Sequence, residues 1–364
     1  TAGLGTPDRV ALKSYTPRHR PNVVILLHES LGAAQWSPWS EHPEASPNIS
    51  GFINRHTEHT VWFEHATAGA GATDVSVPSI LTGLSTNAAG DDYRRAPLIW
   101  HQARAAGYVT ALFSAQNFEW AGFETFFLGK EGPDQVKTAS GYSVSERFND
   151  GGVDDALAVD AALEFLKSTP SDQPFLLIVH FNSTHWPCWA PSLKAADTHA
   201  VTRAETATRC VHAAKYVDSQ SMRLLSALEE SRRLENSMVV LSADHGVDFG
   251  TDHPVDRAVN FYEAVLNIPF FVHLPRTIAP DLKRAMRANR TARVGNVDIY
   301  ATLMDLWGRS EESNRPALSG RSLFRPIKAD RRLVSVNTGD LRSWSSEGFA
   351  LYAGHKKLIV DEQG

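Results

Sequence analysis

Cysteine is scarce: Cys188 and Cys210 are the only two in 364 residues. That excludes a disulfide-built scaffold and a multi-thiolate zinc site, and leaves open either one disulfide or two buried thiols. Long apolar runs are missing too. Val23–Leu27, Phe175–Val179 and Met238–Leu241 are the longest, far short of the roughly 20 residues a membrane helix needs. No signal-peptide pattern opens the chain. It begins at Thr1 rather than Met, which leaves room for a leader or anchor outside it. A basic run is also absent. With 36 Lys and Arg against 41 Asp and Glu, the net charge is −5, a poor basis for binding nucleic acid or anionic lipid through charge. No repeat, low-complexity tract or linker is evident. The 42% hydrophobic and 21% charged content argues against a disordered, collagen-like or coiled-coil chain.

Strand and helix signals alternate along the chain. The segments 21–29, 60–66, 108–115, 173–182, 237–245 and 268–275 read as strands, several of them apolar throughout. Helices are expected at 46–56, 77–84, 96–107, 152–168, about 200–231 and 296–308, the last closed by Gly308. A hairpin around Ala353-Gly354 spans 349–360. This pattern predicts an α/β fold: a mostly parallel central sheet with helices on both faces and a small C-terminal β element.

The chemistry gathers where strands end, the place at which open α/β sheets bind ligands. The first strand ends in His28-Glu29-Ser30, the 173–182 strand runs into His185-Trp186-Pro187, and the 237–243 strand ends in Asp244-His245-Gly246, with His253 in the next loop. A lone Glu after a strand is usually solvated and a lone loop His merely polar. Three strand ends, each delivering a carboxylate or imidazole, are a different matter. Oxygen and nitrogen donors without thiolates suit Zn²⁺ or Mn²⁺.

With those segments in view, the sequence resembles the sulfatase and alkaline-phosphatase superfamily, in the branch of lipoteichoic acid synthases and lipid A phosphoethanolamine transferases. PNVVILLHESLG, GATDVSVPSILTGL, HFNSTHWP, CVHAAKYVDSQSMRLLSALEE, VVLSADHG, FYEAVLNIPFFVHLP, VGNVDIYATLMDLWG and LSGRSLF carry the resemblance, in the family's order, over roughly residues 20–325. It implies an alkaline phosphatase-like fold, with an extension at 1–20, a catalytic domain at 21–310 and a C-terminal part of the same domain at 311–364. Sulfatases carry Cys-x-Pro-x-Arg, whose cysteine becomes formylglycine, with Thr-Gly nine residues on. Here Thr73 stands nine residues before Thr82-Gly83, and Val77 replaces the arginine. The transferase branch has a Thr five residues before a Pro, as Thr73 stands before Pro78.

The resemblance therefore implies Thr73 as nucleophile, with Thr67, Ser76 and Ser79 as weaker candidates. Thr73 also reads as a helix N-cap, a position that favours an anionic group. Glu29, Thr73, Asp244 and His245 are the implied metal ligands. His185 and His253 are implied to hold the substrate, protonate the leaving group or bind a second metal. Trp186 and Trp189 are read either as an aromatic wall for a substrate or as packing. Asp298 and Tyr300 read as structural, and His180, inside an apolar strand, as a hydrogen-bonded core residue. The expectation is a metal-dependent phospho-group transferase, moving a phosphoglycerol- or phosphoethanolamine-like group from a lipid donor to an envelope acceptor outside the cytoplasm, with room for a membrane anchor in a segment outside this chain. The alternatives are a soluble phosphatase or phosphodiesterase and an inactive metal-binding module.

Overall fold

The computed structural model describes residues 6–40, 46–129, 131–193, 202–249, 260–309, 320–337, 348–354 and 356–361. In chain order the elements are β1 (Asn22–His28), α1 (Pro47–Arg55), β2 (Thr60–Trp62), β3 (His65–Thr67), α2 (Thr73–Thr82), α3 (Gly90–Arg95), α4 (Ile99–Ala105), β4 (Val109–Ser114), β5 (Gln135–Lys137), α5 (Asp155–Ser168) and β6 (Phe175–Phe181). There follow α6 (Arg203–Glu230), β7 (Ser237–Ala243), α7 (Glu263–Leu266), β8 (Phe270–His273), α8 (Pro280–Ala288), β9 (Arg293–Gly295), α9 (Asp298–Leu306), β10 (Arg332–Asn337), β11 (Gly348–Ala353) and β12 (Lys356–Asp361).

The strands β1, β6 and β7 are buried at every residue. Sequences such as NVVILLH and SMVVLSA carry apolar residues on both faces because both faces are covered. They form the middle of a seven-stranded sheet in the order β2-β8-β7-β1-β6-β4-β5. All pairings are parallel except those of β8 with β2 and β7. The register sets His28 beside both Phe181 and Ala243. Parallel pairing in that register delivers Glu29, Asn182 and Asp244 to the same end of the sheet.

The long helices are set by local chemistry. Asp154 caps α5 by accepting from the Ala156 N–H, and Thr202 with Glu205 forms a capping box that starts α6. Helix α2 ends at Gly83, in a left-handed conformation at φ 72°, and a Cβ there would press into the Tyr300 ring at 2.6 Å.

Several expected boundaries move. The strand expected at 60–66 is two: β2 pairs with β8, whereas β3 pairs with β9 in a separate small sheet. The helix expected from residue 77 starts at Thr73, because Pro78 sits inside its turn rather than before it. The C-terminal hairpin is present as β11 and β12, and β10 joins it as a third strand. Leu333, Ala350 and Tyr352 of this sheet lie in the same apolar core as the central strands. The question left open for the cysteines is answered by a disulfide between Cys188 and Cys210.

Candidate active site

Glu29 and Asp244 leave adjacent strands as the first residues past β1 and β7, and both are fully buried. Thr73 is the first residue of α2, pointed at them from the side. It is not the N-cap expected for it: Ala72 holds that place, and the Thr73 hydroxyl instead donates to Glu29 Oε1 at 2.7 Å. The same hydroxyl lies 3.1 Å from His245 Nε2. His245 Nε2 in turn is 3.5 Å from Glu29 Oε1 and 3.4 Å from Asp244 Oδ2.

The surroundings fix each group. Asp244 Oδ1 accepts from the backbone N–H of Ser30 and of His245, at 2.9 and 2.7 Å. Its other oxygen, Oδ2, is buried with no hydrogen-bond partner among the described residues. His245 Nδ1 donates to the Gly246 carbonyl at 2.7 Å, which leaves the Nε2 lone pair facing the cluster. Gly246 must be glycine, since a Cβ would sit 2.2 Å from the Ala264 carbonyl. Ser76 donates to the Asp244 carbonyl, and Asn296 donates to that carbonyl and to Ala243 as well, bracing the end of β7.

Charge is concentrated here. Burial by itself would raise the Glu29 pKa, but His180, His245 and His185 more than offset it and hold the carboxyl well below its ordinary value. Asp244 moves the other way: burial, reinforced by repulsion from Glu29, pushes it well above the carboxylate range. The two buried carboxyl groups thus repel each other.

That repulsion, the Asp244 Oδ2 without a hydrogen-bond partner among the described residues and the inward lone pair of His245 suit a bound cation. One ligand atom from each of Glu29, Asp244 and His245 fits within 4.8 Å of the others. The donors present fit a divalent cation, and Thr73 Oγ1 is close enough to complete the set.

His185 is buried in the loop after β6. Its Nδ1 donates to the Trp186 carbonyl at 2.8 Å, and its Nε2 lies 3.6 Å from Asp150. The loop is held from below. Asp155, at the start of α5, accepts from the N–H of Asn182 and Ser183 at 2.7 and 3.0 Å, and Thr184 donates to the Glu29 carbonyl at 2.6 Å. From the side, the disulfide ties Cys188 to α6. Trp189 is buried and stacks on Phe148 at 3.9 Å, so it packs, while Trp186 is half-buried. His253 lies outside the described residues.

The weaker nucleophile candidates are engaged elsewhere: Thr67 accepts from Arg293, Ser76 is bound as above, and Ser79 donates to the Leu84 carbonyl. Asp298 accepts from Arg331, Gly295 and Arg321, and Tyr300 packs on Gly83 and accepts from Gln102, both structural tasks. Sequence reading missed Gln116, whose Nε2 donates to Glu29 Oε2 at 3.0 Å. His180 is the hydrogen-bonded core residue expected of it, with Nδ1 3.2 Å from Ser114 Oγ, and its Nε2 also reaches 3.7 Å from the same Glu29 oxygen. Nothing in a linear pattern marks Gln116; for His180, a lone imidazole in a fully apolar strand was the available signal.

The Sulfatase family model matches residues 21–309. The chain belongs to the sulfatase family. Choline-sulfatase of Rhizobium meliloti is 25% identical over 87% of this chain and 73% of its own length. An uncharacterized Haemophilus influenzae protein is 22% identical over 89% of this chain, which spans only 47% of that relative. Among solved structures, the C-terminal periplasmic domain of EptC from Escherichia coli, in complex with Zn, superposes with a TM-score of 0.70 at 16% identity, covering 98% of this chain and 96% of that one. LtaP, a lipoteichoic acid synthase from Listeria monocytogenes, gives 0.66 at 15% identity over 94% and 85%. A Vibrio parahaemolyticus protein of the alkaline phosphatase superfamily gives 0.68 at 20% identity over 98% and 79%. The fold is that of the alkaline phosphatase superfamily.

Proposed function

We propose that this member of the sulfatase family is a metal-dependent phospho-group transferase with Thr73 as its nucleophile. One observation carries the reading. The residue at the focus of the cluster is a threonine, 2.7 Å from Glu29 and 3.1 Å from His245, and both cysteines of the chain are consumed in a disulfide. No cysteine remains for conversion to formylglycine.

Glu29, Asp244, His245 and Thr73 would hold the metal, which when bound supplies positive charge that acidifies the threonine hydroxyl and screens an anionic substrate. The chain's own residues do the rest. Thr73 Oγ1 is aimed with its proton toward Glu29 and forms the new bond to phosphorus, while the bond to the leaving alcohol breaks. His185 keeps Nδ1–H on the Trp186 carbonyl and has Nε2 3.6 Å from Asp150; as the imidazolium it would carry a second proton on Nε2, the one given to that alcohol. An outside hydroxyl then attacks the phospho-threonine and frees Thr73. A formylglycine hydrate can expel its ester by its own second hydroxyl; a threonine cannot, so an acceptor is obligatory.

The preferred donor is a lipid carrying a phosphoglycerol- or phosphoethanolamine-like group. The fold likeness to LtaP and EptC supports it, and the disulfide suits an oxidising compartment outside the cytoplasm. Among the described residues no helix is long and apolar enough to cross a membrane. The test is a side-by-side rate, with Zn²⁺ or Mn²⁺ added, on p-nitrophenyl sulfate and on p-nitrophenyl phosphate mono- and diesters. Turnover of phosphate esters with little or none of the sulfate is expected. Faster sulfate release by the pure protein would overturn the assignment, and water serving as well as any alcohol acceptor would turn the transferase into a hydrolase.

A further inference from the structure

Glu29 uses its two oxygens differently. Oε1 takes the Ser30 and Thr73 hydroxyls at 3.0 and 2.7 Å and faces His245. Oε2 turns the other way, to Gln116 Nε2 at 3.0 Å and His180 Nε2 at 3.7 Å. Both of these partners are buried, Gln116 at 3% exposure and His180 at 1%.

The orientation of His180 follows from its neighbours. Ser114 and His180 are paired residues on β4 and β6, and their Oγ and Nδ1 lie 3.2 Å apart. The Ser114 oxygen already accepts from the Gln116 N–H at 3.0 Å, so its own proton is available for Nδ1. That places the imidazole proton on Nε2, directed at the carboxylate. The other tautomer would set a lone pair against Glu29 Oε2. His180 Nε2 has no other partner among the described residues. At 3.7 Å the contact is wider than a hydrogen bond and acts as an N–H dipole facing a carboxylate. Gln116 is held by the same serine through its backbone, so one hydroxyl sets both groups.

We propose that Gln116 and His180 are positioning residues that hold Glu29 Oε2, so that Glu29 presents Oε1 alone to the cation and to Thr73. The inference rests on the reading of Glu29 as a metal ligand. A carboxylate released from this clamp is able to swing and offer both oxygens, changing coordination number and drawing Oε1 away from the threonine hydroxyl. Outer partners of metal ligands commonly set affinity in this way.

The experiment is titration of the metal-free full chain with Zn²⁺, and with Co²⁺ for its visible spectrum. Gln116→Met, similar in size but without the donor, and His180→Ala are expected to weaken Zn²⁺ binding by about 10- to 100-fold and to alter the Co²⁺ bands. His180→Gln, which keeps a donor near the Nε2 position, is expected to restore much of the affinity. Circular dichroism checks each variant, and if His180→Ala fails to fold, Gln116→Met and His180→Gln decide the matter. Wild-type affinity and spectrum in Gln116→Met would overturn the proposal, as would a folded His180→Gln that binds as weakly as His180→Ala. Glu29→Ala is the control: unchanged Zn²⁺ affinity there would remove the metal-ligand reading itself, an outcome separate from failure of the clamp.

Discussion

Among the described residues two histidine–glutamate clusters stand in contrast: one has the geometry of a site and the other does not. At the far edge of the sheet, His56, His59, His273, Glu229 and Glu235 line a cavity of about 230 Å³. At the strand ends, Glu29, Asp244 and His245 meet in the buried core. By composition the edge cluster is the richer of the two. Most of its groups, however, are paired off individually: His56 Nε2 with Glu229 at 2.6 Å, His273 Nδ1 with Thr60 at 3.0 Å and Glu235 with Arg276 at 3.4 Å, while His59 Nδ1 alone lacks a hydrogen-bond partner among the described residues. In the buried cluster the candidate ligand atoms converge, Asp244 Oδ2 has no hydrogen-bond partner among the described residues, and two carboxyl groups repel. Convergence of unsatisfied atoms, rather than residue type, separates a site from a structural network.

Four changes test that contrast, the largest effect first. Thr73→Ala should cut turnover by at least about 10³-fold, in line with the loss of a nucleophile in other covalent enzymes. The fold should be unchanged by circular dichroism, because the threonine makes no cap that the helix would miss. A folded variant with near-normal rate would remove Thr73 from the chemistry.

Next, Asp244→Ala or His245→Ala should abolish stoichiometric Zn²⁺ or Mn²⁺ by elemental analysis after reconstitution, whereas His56→Ala and His273→Phe should leave it intact. Loss of metal from the edge variants would erase the distinction between the clusters. A metal-free wild type after reconstitution would favour an inactive binding module.

Third, the disulfide closes a loop of 22 residues. Replacing both cysteines by serine should cost about 3 kcal/mol of stability, read by denaturant unfolding. It should also raise KM more than it lowers metal content, since Cys188 steadies the His185 loop rather than the ligands.

The smallest effect is a pH dependence at the edge cluster. Burial, helped by the neighbouring charges of His56, His59 and Arg276, pushes the His273 pKa down to about 3. An unfolded histidine takes up its proton near pH 6.5. Between those values the unfolded chain binds the proton and the folded chain does not, so the contribution to stability is present above about pH 6.5 and is lost as the pH falls toward 3. Thermal unfolding from pH 7 to 4 should show a shallower decline in His273→Phe than in the wild type. Parallel curves would show that His273 does not titrate in this way.

Much of the site's frame was legible in the sequence because parallel strands bury both faces. The runs before Glu29 and His245 are continuous and apolar, and a strand end in an α/β sheet is a place where chemistry collects. Thr73 was pointed to by the family resemblance, through its spacing to Pro78 and Thr82-Gly83, and the structure sets it beside Glu29 and His245. Other contacts could not be read this way, because they join distant parts of the chain. Gln116 reaches Glu29 across 87 positions, and Asn296 reaches Asp244 across 52. The antiparallel pairing of β8 and the split of 60–66 into two strands also depend on partners far away in the chain. His180 was seen as a core residue because its strand is apolar throughout; that it also faces Glu29 follows only from the register of β6 between β1 and β4.

The claim that a threonine at this focus becomes covalently phosphorylated is open to direct measurement. The reconstituted protein is mixed with an aryl phosphodiester, quenched in acid within the first turnovers, digested and examined by mass spectrometry. The account predicts a phospho adduct on the peptide containing Thr73, absent from Thr73→Ala. Burst release of the aryl alcohol with the adduct on another residue, or turnover by Thr73→Ala at the wild-type rate, would contradict it.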